Sequence, residues 1–388
     1  MIYRICTIAD IHFGALDPER LYNELQLVNE SIKTAHDCGY KTDLVVLAGD
    51  YWDSKQSLNN KVSYYGIKWM KELVDLAEEC GFIIRVILGT KSHDHDQLDV
   101  FDSFNPEVFK IFRKNTYEET LPGLHALYCP DENIPTDKYI ETYIDNLTRE
   151  DGYQIGFFHG NFDLIMMGLP SQETEVQSSN NVVFEYKLFD KIISGPMLAG
   201  HWHTHMVHKK LTYVGSFSRF GFGEEEDKGF ISTVIDTENP IAFANNFVIN
   251  LKAQAYKSFI IDTAIFKDID DYAKIFNSVE KMLLENPDIK IRIRIDAKDD
   301  TPQTKKYIDN VRNQFVNNRN VKVVVRNRYA EEKKKEKENE KKEELVTYDF
   351  IEDKNMSAAV KLQKFILSKY GISVPIDFIQ KYTNVYLK

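Results

Sequence analysis

Residues 2–14 read IYRICTIADIHFG, and the fold follows from how this stretch ends. Ile2 to Ala9 is a β-rich run that stops on Asp10, with His12 two positions on and Gly14 after it. In extended chain, residues two apart point to one side, so Asp10 and His12 share a face and Ile11 takes the other. The ending recurs downstream: Leu44 to Ala48 runs into Gly49-Asp50, and Phe82 to Leu88 runs into Gly89. Between these runs the apolar residues fall at helical spacing. One helix carries Leu21, Leu25, Val28, Ile32 and Ala35, with Gly39 as its C-cap. A second carries Val62, Trp69, Leu73, Leu76 and Cys80 and stops at Gly81. Strand, helix, strand, helix, strand predicts an α/β layered domain.

Tyr153 to Phe158 and Lys191 to Ser194 read as later strands, each followed by a histidine-containing turn, with a polar loop at Ser171 to Asn181 between them. Leu211 to Val214 and Phe230 to Ile235 carry the sheet structure on. From about residue 255 the texture changes. Phe259 to Ile261 and Ile291 to Ile295 are strand-like around a helical run at Tyr272 to Leu284. A further helix, Gln303 to Val316, leads to Val321 to Val325, and this part has no histidine. Glu331 to Glu344 holds thirteen charged residues in fourteen, which makes it a solvated helix or a linker rather than core. Two short amphipathic helices follow: Ala359, Leu362, Phe365 and Ile366, then Phe378, Ile379 and Tyr382 after Pro375. The expected parts are an α/β domain (1–250), a small α+β domain (251–328), a charged linker (329–346) and a helical segment (347–388).

A chain of 388 residues predicts two or three domains at about 150 residues each. Its 43% hydrophobic and 28% charged residues rule out wholesale disorder. No apolar run approaches the roughly 18 residues of a membrane span, and the first ten residues turn polar too soon for a signal peptide. Cys6, Cys38, Cys80 and Cys129 form no CxxC pair, so neither a disulfide framework nor a thiolate zinc site is expected, and a cytoplasmic setting fits. The net charge of −11 argues against coating nucleic acid through bulk positive charge. It leaves room for metal ions or a local basic strip to meet phosphates.

Eight of the ten histidines fall in four clusters: His12; His93 and His95; His159; and His201, His203, His205 and His208. Each cluster follows a predicted strand, where a sheet edge gathers side chains from distant sequence. Asp10, Asp50, Asp53 and Asp94 stand with them. Carboxylate and imidazole without thiolate suit manganese, iron or zinc, and there are enough ligands for two ions with a shared carboxylate. Gly14, Gly49, Gly89 and Gly200 sit where a sharp bend would bring a ligand inward. A lone DxH is weak and more often a simple strand-end turn. The ordered series of DxH, GDxxD, a Gly-started turn ending in His-Asp, a strand-end His and GHxH is strong. His36 and His125 read as surface or packed histidines, His205 and His208 as bystanders, and Trp202 as packing against the sheet.

Asp10 to Gly14, Gly49 to Asp53, Gly89 to Asp94, His159 and Gly200 to His203 together resemble the calcineurin-like metallophosphoesterases. Within that family the chain is most similar to the SbcD-type DNA double-strand-break repair nucleases. Tyr213 to Arg219 (YVGSFSR), Lys228-Gly229-Phe230 and the order of parts favour that branch. The motif match spans about residues 1–235; the remainder matches in layout only. The resemblance implies an α/β/β/α sandwich with a small α+β cap and C-terminal helices. It also implies metal-dependent exo- and endonuclease action on DNA with two divalent cations, Mn2+ foremost. Asp10, His12 and His203 would hold one ion and His159 and His201 the other, with Asp50 bridging. His93 would sit beside the scissile phosphate as proton donor or transition-state stabiliser, Asp94 would orient it, and Asp53 would support the ligands. The family has Asn directly before the His-Asp pair, as a ligand of the second ion. Here Ser92 stands there, a shorter and poorer donor that ligates directly, or through water, or leaves the second site weaker.

Lys290, Arg292 and Arg294 alternate with Ile291, Ile293 and Ile295, placing three positive charges on one strand face. Between Lys305 and Arg328 there are seven basic residues and one acidic, Asp309. Phosphate contact and an ordinary solvated face are equally good readings. Phe220, Phe222 and Glu224 to Asp227 form a candidate substrate-facing rim. The resemblance implies that the terminal helices dock on the coiled-coil base of an SbcC-type ATPase, against the plain reading of a helical pair on its own domain; a homodimer is the expected assembly. Two other classes share these residues: a small-substrate phosphatase or cyclic-nucleotide phosphodiesterase, and a DNA-binding subunit that lost its second ion through Ser92.

Overall fold

The computed structural model of the protein describes residues 1–94, 96–131, 152–163, 183–265, 269–329, 356–370, 372–377 and 379. His95, the polar loop at Ser171 to Asn181, residues 330–346 of the charged linker, Phe378 and Tyr382 lie outside the described residues. The chain runs β1 (Ile2–Ile8), α1 (Pro18–Asp37), β2 (Leu44–Ala48), α2 (Lys61–Cys80), β3 (Ile83–Ile87), β4 (Phe109–Phe112), β5 (Thr116–Leu121) and β6 (Leu124–Cys129). It continues with β7 (Ile155–His159), β8 (Asn161–Phe162), β9 (Val183–Phe184), α3 (Tyr186–Ile192), β10 (Met197–Gly200), β11 (Met206–His208) and β12 (Leu211–Tyr213). Then come β13 (Gly229–Asp236), β14 (Ala244–Ile249), β15 (Tyr256–Asp262), α4 (Ile269–Glu285), β16 (Lys290–Ala297), α5 (Pro302–Phe315), β17 (Val321–Asn327) and α6 (Ala358–Tyr370). It is a mixed α/β fold.

The first six-stranded sheet has the order β14-β13-β1-β2-β3-β4, and the second β11-β12-β10-β7-β6-β5. In the first, β1 to β4 are parallel and β13 joins β1 antiparallel. In the second, β6, β7, β10 and β12 are parallel, with β5 and β11 antiparallel at the edges. Every residue of β2 is buried, as befits a parallel strand covered on both faces. The two-residue period divides it. Val45 and Leu47 join the cluster built with Leu21 and Leu25 of α1 and Trp69 and Leu73 of α2. Leu44, Val46 and Ala48 face the other way, into a cluster with Tyr128, Ile155, Phe157 and Leu198 of the second sheet. The second sheet's remaining face buries Leu127, Phe158 and Ala199 with Phe189 of α3.

Local chemistry sets the helix ends. Asp17 caps α1 by accepting from the Arg20 amide, and Pro18 opens the first turn. Gly39 at φ 82° closes it: the Gly39 amide donates to His36 and the Tyr40 amide to Ala35, a Schellman arrangement. Asn60 caps α2 through the Ser63 amide.

One expectation is corrected. Lys191 lies in α3, not in a strand, because Tyr186 and Phe189, three apart, bury one helical face; the strand starts at Met197. No helix among the described residues is long and apolar enough to cross a membrane.

The chain divides into two compact units. One is Met1–Phe259 with Ala273–Ile293 and Asn318–Lys322, which holds both six-stranded sheets; the other is Ile260–Tyr272, Arg294–Asn317 and Val323–Lys388. β15, β16 and β17 form a three-stranded sheet in that order. Along β16, Ile291, Ile293 and Ile295 are buried while Lys290, Arg292 and Arg294 are half-buried, so the alternation is observed.

Candidate metal centre

Parallel strands all end on the same side, and β1, β2, β3, β7 and β10 deliver their last residues to one place. Asp10 and His12 follow β1, Asp50 follows β2, Thr90 and His93 follow β3, His159 ends β7, and His201 and His203 follow β10. The sheets are tied together there. The His159 Nδ1 donates to the Ala48 carbonyl at 2.8 Å, and the His201 amide donates to both Asp10 oxygens at 2.9 and 3.0 Å. The approach is close enough to require glycine: a Cβ on Gly49 would lie 2.1 Å from His159 Nδ1, and one on Gly89 would lie 2.0 Å from the Asp50 amide nitrogen.

Among the described residues, three sets of side chains place ligand atoms within 4.8 Å of one another and could hold a metal ion: Asp10, His12 and His203; Asp50, His159 and His201; and His12, Asp50 and His93. The first two meet through Asp50, whose Oδ2 stands 3.2 Å from His159 Nε2 and 3.7 Å from His12 Nε2. His12 Nε2 and His203 Nε2 are 3.1 Å apart. Asp10, His12, Asp50 and His201 all have left-handed backbones, with φ of 50°, 51°, 51° and 89°. Non-glycine residues there are strained, and such strain clusters at functional sites.

Burial lifts the Asp10 carboxyl to about 6, against the pull of His159 and His203. Burial would raise Asp50 too, but His159, by charge and hydrogen bond, then His12 and His93, together hold it well below the usual carboxylate range. The same pairing overcomes burial at His159 and raises its pKa to about 10. Two buried carboxylates with four imidazoles, three of them buried and His203 partly so, make a donor set that fits divalent cations.

The expected positions divide. Asp10, His12, Asp50, His159, His201, His203 and His93 converge. Ser92 lies exposed in the turn after Gly89. Asp94 is buried, but its oxygens accept from the backbone amides of Trp52 at 3.0 Å and Gly89 at 2.7 Å. The His93 ring is held instead by the Asp53 carbonyl, to which Nδ1 donates in a short hydrogen bond. Asp94, which the resemblance implies orients His93, thus uses both oxygens on backbone amides and secures the loop. Burial, then repulsion from Asp50, lifts the Asp94 carboxyl to about 7. Asp53 also supports His12, with Oδ1 3.7 Å from its Nδ1.

Trp202 packs under the sheet and donates to Asn161 Oδ1 at 2.7 Å. His205 stacks on Phe247 with its Nδ1 2.9 Å from the Tyr213 carbonyl, and His208 meets Tyr186. Of the candidate rim, Phe220 faces the rings of His12 and His203, while Phe222 packs on Tyr256 and under Arg292.

Three residues take roles in the centre that the sequence did not assign to them, Glu224 having been expected only in the rim. Glu224 Oε1 accepts from His203 Nδ1 at 3.1 Å, and burial, which would raise its carboxyl, is outweighed by His203 and Lys228. That contact turns His203 Nε2 toward His12. Asn161 Nδ2 lies 3.3 Å from His201 Nε2. Thr90 Oγ1 lies among the donors of the second set. Thr90 and Asn161 carried a signal: like Asp50 and His201, each directly follows a strand-end glycine, Gly89 and Gly160.

No protein-family model matches the chain, and no curated protein matches it.

Proposed function

We propose that this chain is a two-metal phosphodiesterase of the calcineurin-like sandwich type, and that its substrate is DNA. One observation carries the first part: the Asp50 carboxylate joins the two ligand sets, 3.2 Å from His159 and 3.7 Å from His12. Asp10, His12 and His203 would hold one divalent cation, Asp50, His159 and His201 the other, with Asp50 shared. Mn2+ suits this hard-to-borderline set. Bound there, a pair of cations lowers the pKa of an attacking water and compensates charge on phosphoryl oxygens. The side chains do the rest. Asp10 and Asp50 fix the ligand spacing, and Glu224 fixes the tautomer of His203. His93 donates a hydrogen bond from Nδ1 to the Asp53 carbonyl, so Nε2 is the nitrogen through which it exchanges a proton with the leaving oxygen.

DNA as substrate is supported by the order of the motifs and by the basic face of β16. That face is partly engaged already, since Lys290 meets Asn320, Arg292 lies over Phe222 and Arg294 pairs with Asp296. An SbcC-type ATPase partner at the terminal helices belongs to the same proposal and rests on the resemblance.

The test sets linear double- and single-stranded DNA beside a small phosphodiester, each with Mn2+ and with chelator. Cleavage of DNA only with metal is expected. His93→Asn should lower it by about 10²–10⁴-fold while leaving bound metal unchanged. Turnover of the small ester alone would replace DNA by a small-molecule substrate. No hydrolysis of either, with two ions bound, would reject catalysis.

A further inference from the structure

Thr90 Oγ1 stands 3.3 Å from Asp50 Oδ2, 3.4 Å from His159 Nε2 and 3.5 Å from His201 Nδ1. Those three atoms belong to the residues of the second ligand set, and Asp50 Oδ2 and His159 Nε2 are themselves 3.2 Å apart. Four donors each about 2.1 Å from one small divalent cation stand about 3.0–3.4 Å from one another at octahedral or tetrahedral angles. The hydroxyl already stands at the spacing of a fourth vertex.

We propose that Thr90, not Ser92, supplies the neutral oxygen donor of the second site; this rests on the two-metal reading above.

The backbone fixes Thr90 in place. Its amide donates to Asp50 Oδ1 at 2.5 Å, and its carbonyl accepts from the amides of His93 and Asp94 at 2.9 and 3.0 Å. Gly89 before it lets the chain pass against Asp50, and the Gly89 amide is held by Asp94 Oδ2 at 2.7 Å. A β-branched side chain has few χ1 choices, so the hydroxyl direction is set with the backbone. Ser92, two residues on, is exposed in the same turn. The other two strand ends that supply a ligand after a glycine, Gly49-Asp50 and Gly200-His201, use the same device as Gly89-Thr90.

A hydroxyl so close to Asp50 has a competing role, that of merely positioning the carboxylate. The two roles separate because Asp50 is shared. Loss of a ligand weakens one ion; loss of support for Asp50 weakens both. The test is a Mn2+ titration of the full chain by calorimetry, with metal analysis after dialysis, on wild type, Thr90→Val, Thr90→Ser and Ser92→Ala. Wild type should bind two ions. Thr90→Val should weaken one about ten- to a hundred-fold and spare the other. Thr90→Ser, which keeps the hydroxyl, and Ser92→Ala should titrate as wild type does. Equal weakening of both ions in Thr90→Val, no weakening, or loss of an ion in Ser92→Ala would each overturn the assignment. If Thr90→Val does not fold, Thr90→Ala is read in its place. A wild type that binds fewer than two ions would instead remove the two-metal reading itself, whatever the variants do.

Discussion

Loading the ion-free protein with Mn2+ should expel a proton from His159, so metal affinity should climb with pH. Burial alone would lower the pKa of His159, but Asp50 at 3.2 Å, with help from Asp10, raises it to about 10. Asp50 stays ionised throughout, because His159, His12 and His93 outweigh its burial. At neutral pH the ion-free pair is an imidazolium against a carboxylate, and imidazole ligates only when neutral. From neutrality up to about pH 10, an ion entering the Asp50, His159 and His201 set must therefore displace one proton. Apparent affinity should rise about tenfold per pH unit, about 1.4 kcal/mol each. Below about pH 6 Asp10 takes up a proton as well, and the dependence steepens. Calorimetry in two buffers of different ionisation heat counts the proton directly. A count near zero, with affinity flat across two pH units, refutes the pairing.

The same group fixes the sign of a stability effect. His159 has a folded pKa of about 10 against 6.5 for an ordinary histidine. Its contribution is fully present below pH 6.5 and is lost as pH rises through about 10. The chelated protein should therefore lose melting temperature over that window, while the loaded protein, with His159 neutral and bound, should lose none of it.

Other perturbations have local consequences. Glu224→Ala removes the acceptor for His203 Nδ1 and should weaken the ion at Asp10, His12 and His203 about ten- to a hundred-fold, read by Mn2+ titration; unchanged affinity counts against the positioning role. Gly89→Ala would place a methyl 2.0 Å from the Asp50 nitrogen and should destabilise the protein by about 1–3 kcal/mol in urea unfolding and abolish binding of two ions; a variant as stable as wild type refutes the close approach. His93→Asn should separate catalysis from binding, and Thr90→Val should separate one ion from the other, in the experiments described above.

The elements that build the centre were legible because they obey strong local rules. β2 is a continuous apolar run because both its faces are covered, and α1 and α2 show a helical period bounded by Asp17, Gly39, Asn60 and Gly81. The edge of the second sheet was not legible. β5 reads TYEETL, whose polar residues suit an edge strand but give no apolar signal. Lys191 to Ser194 is too short for periodicity to separate strand from helix, and tertiary burial of Tyr186 and Phe189 decides. In the site, strand-end donors were readable, whereas contacts made across turns were not. Counted back from His93 the neutral donor falls on Ser92; counted forward from Gly89 it falls on Thr90. Glu224 looks like one acid among several in a solvated loop. Its inward turn depends on the buried Lys228, which donates to the His203 carbonyl at 2.7 Å.

The left-handed backbones bind these observations together. Among the described residues, five non-glycine positions have positive φ, and four of them are Asp10, His12, Asp50 and His201. Glycine at any of these would relieve about 1–3 kcal/mol of strain, and the chain uses glycine freely beside them, at Gly14, Gly49 and Gly200. It keeps a carboxylate or imidazole where glycine is the least strained choice. Folding alone gives no reason for that choice, since each residue also brings a polar group into a buried place at further cost. A ligand that needs those donors at those points does give a reason. The strain therefore supports the same conclusion as the distances, by a route that does not depend on any single distance.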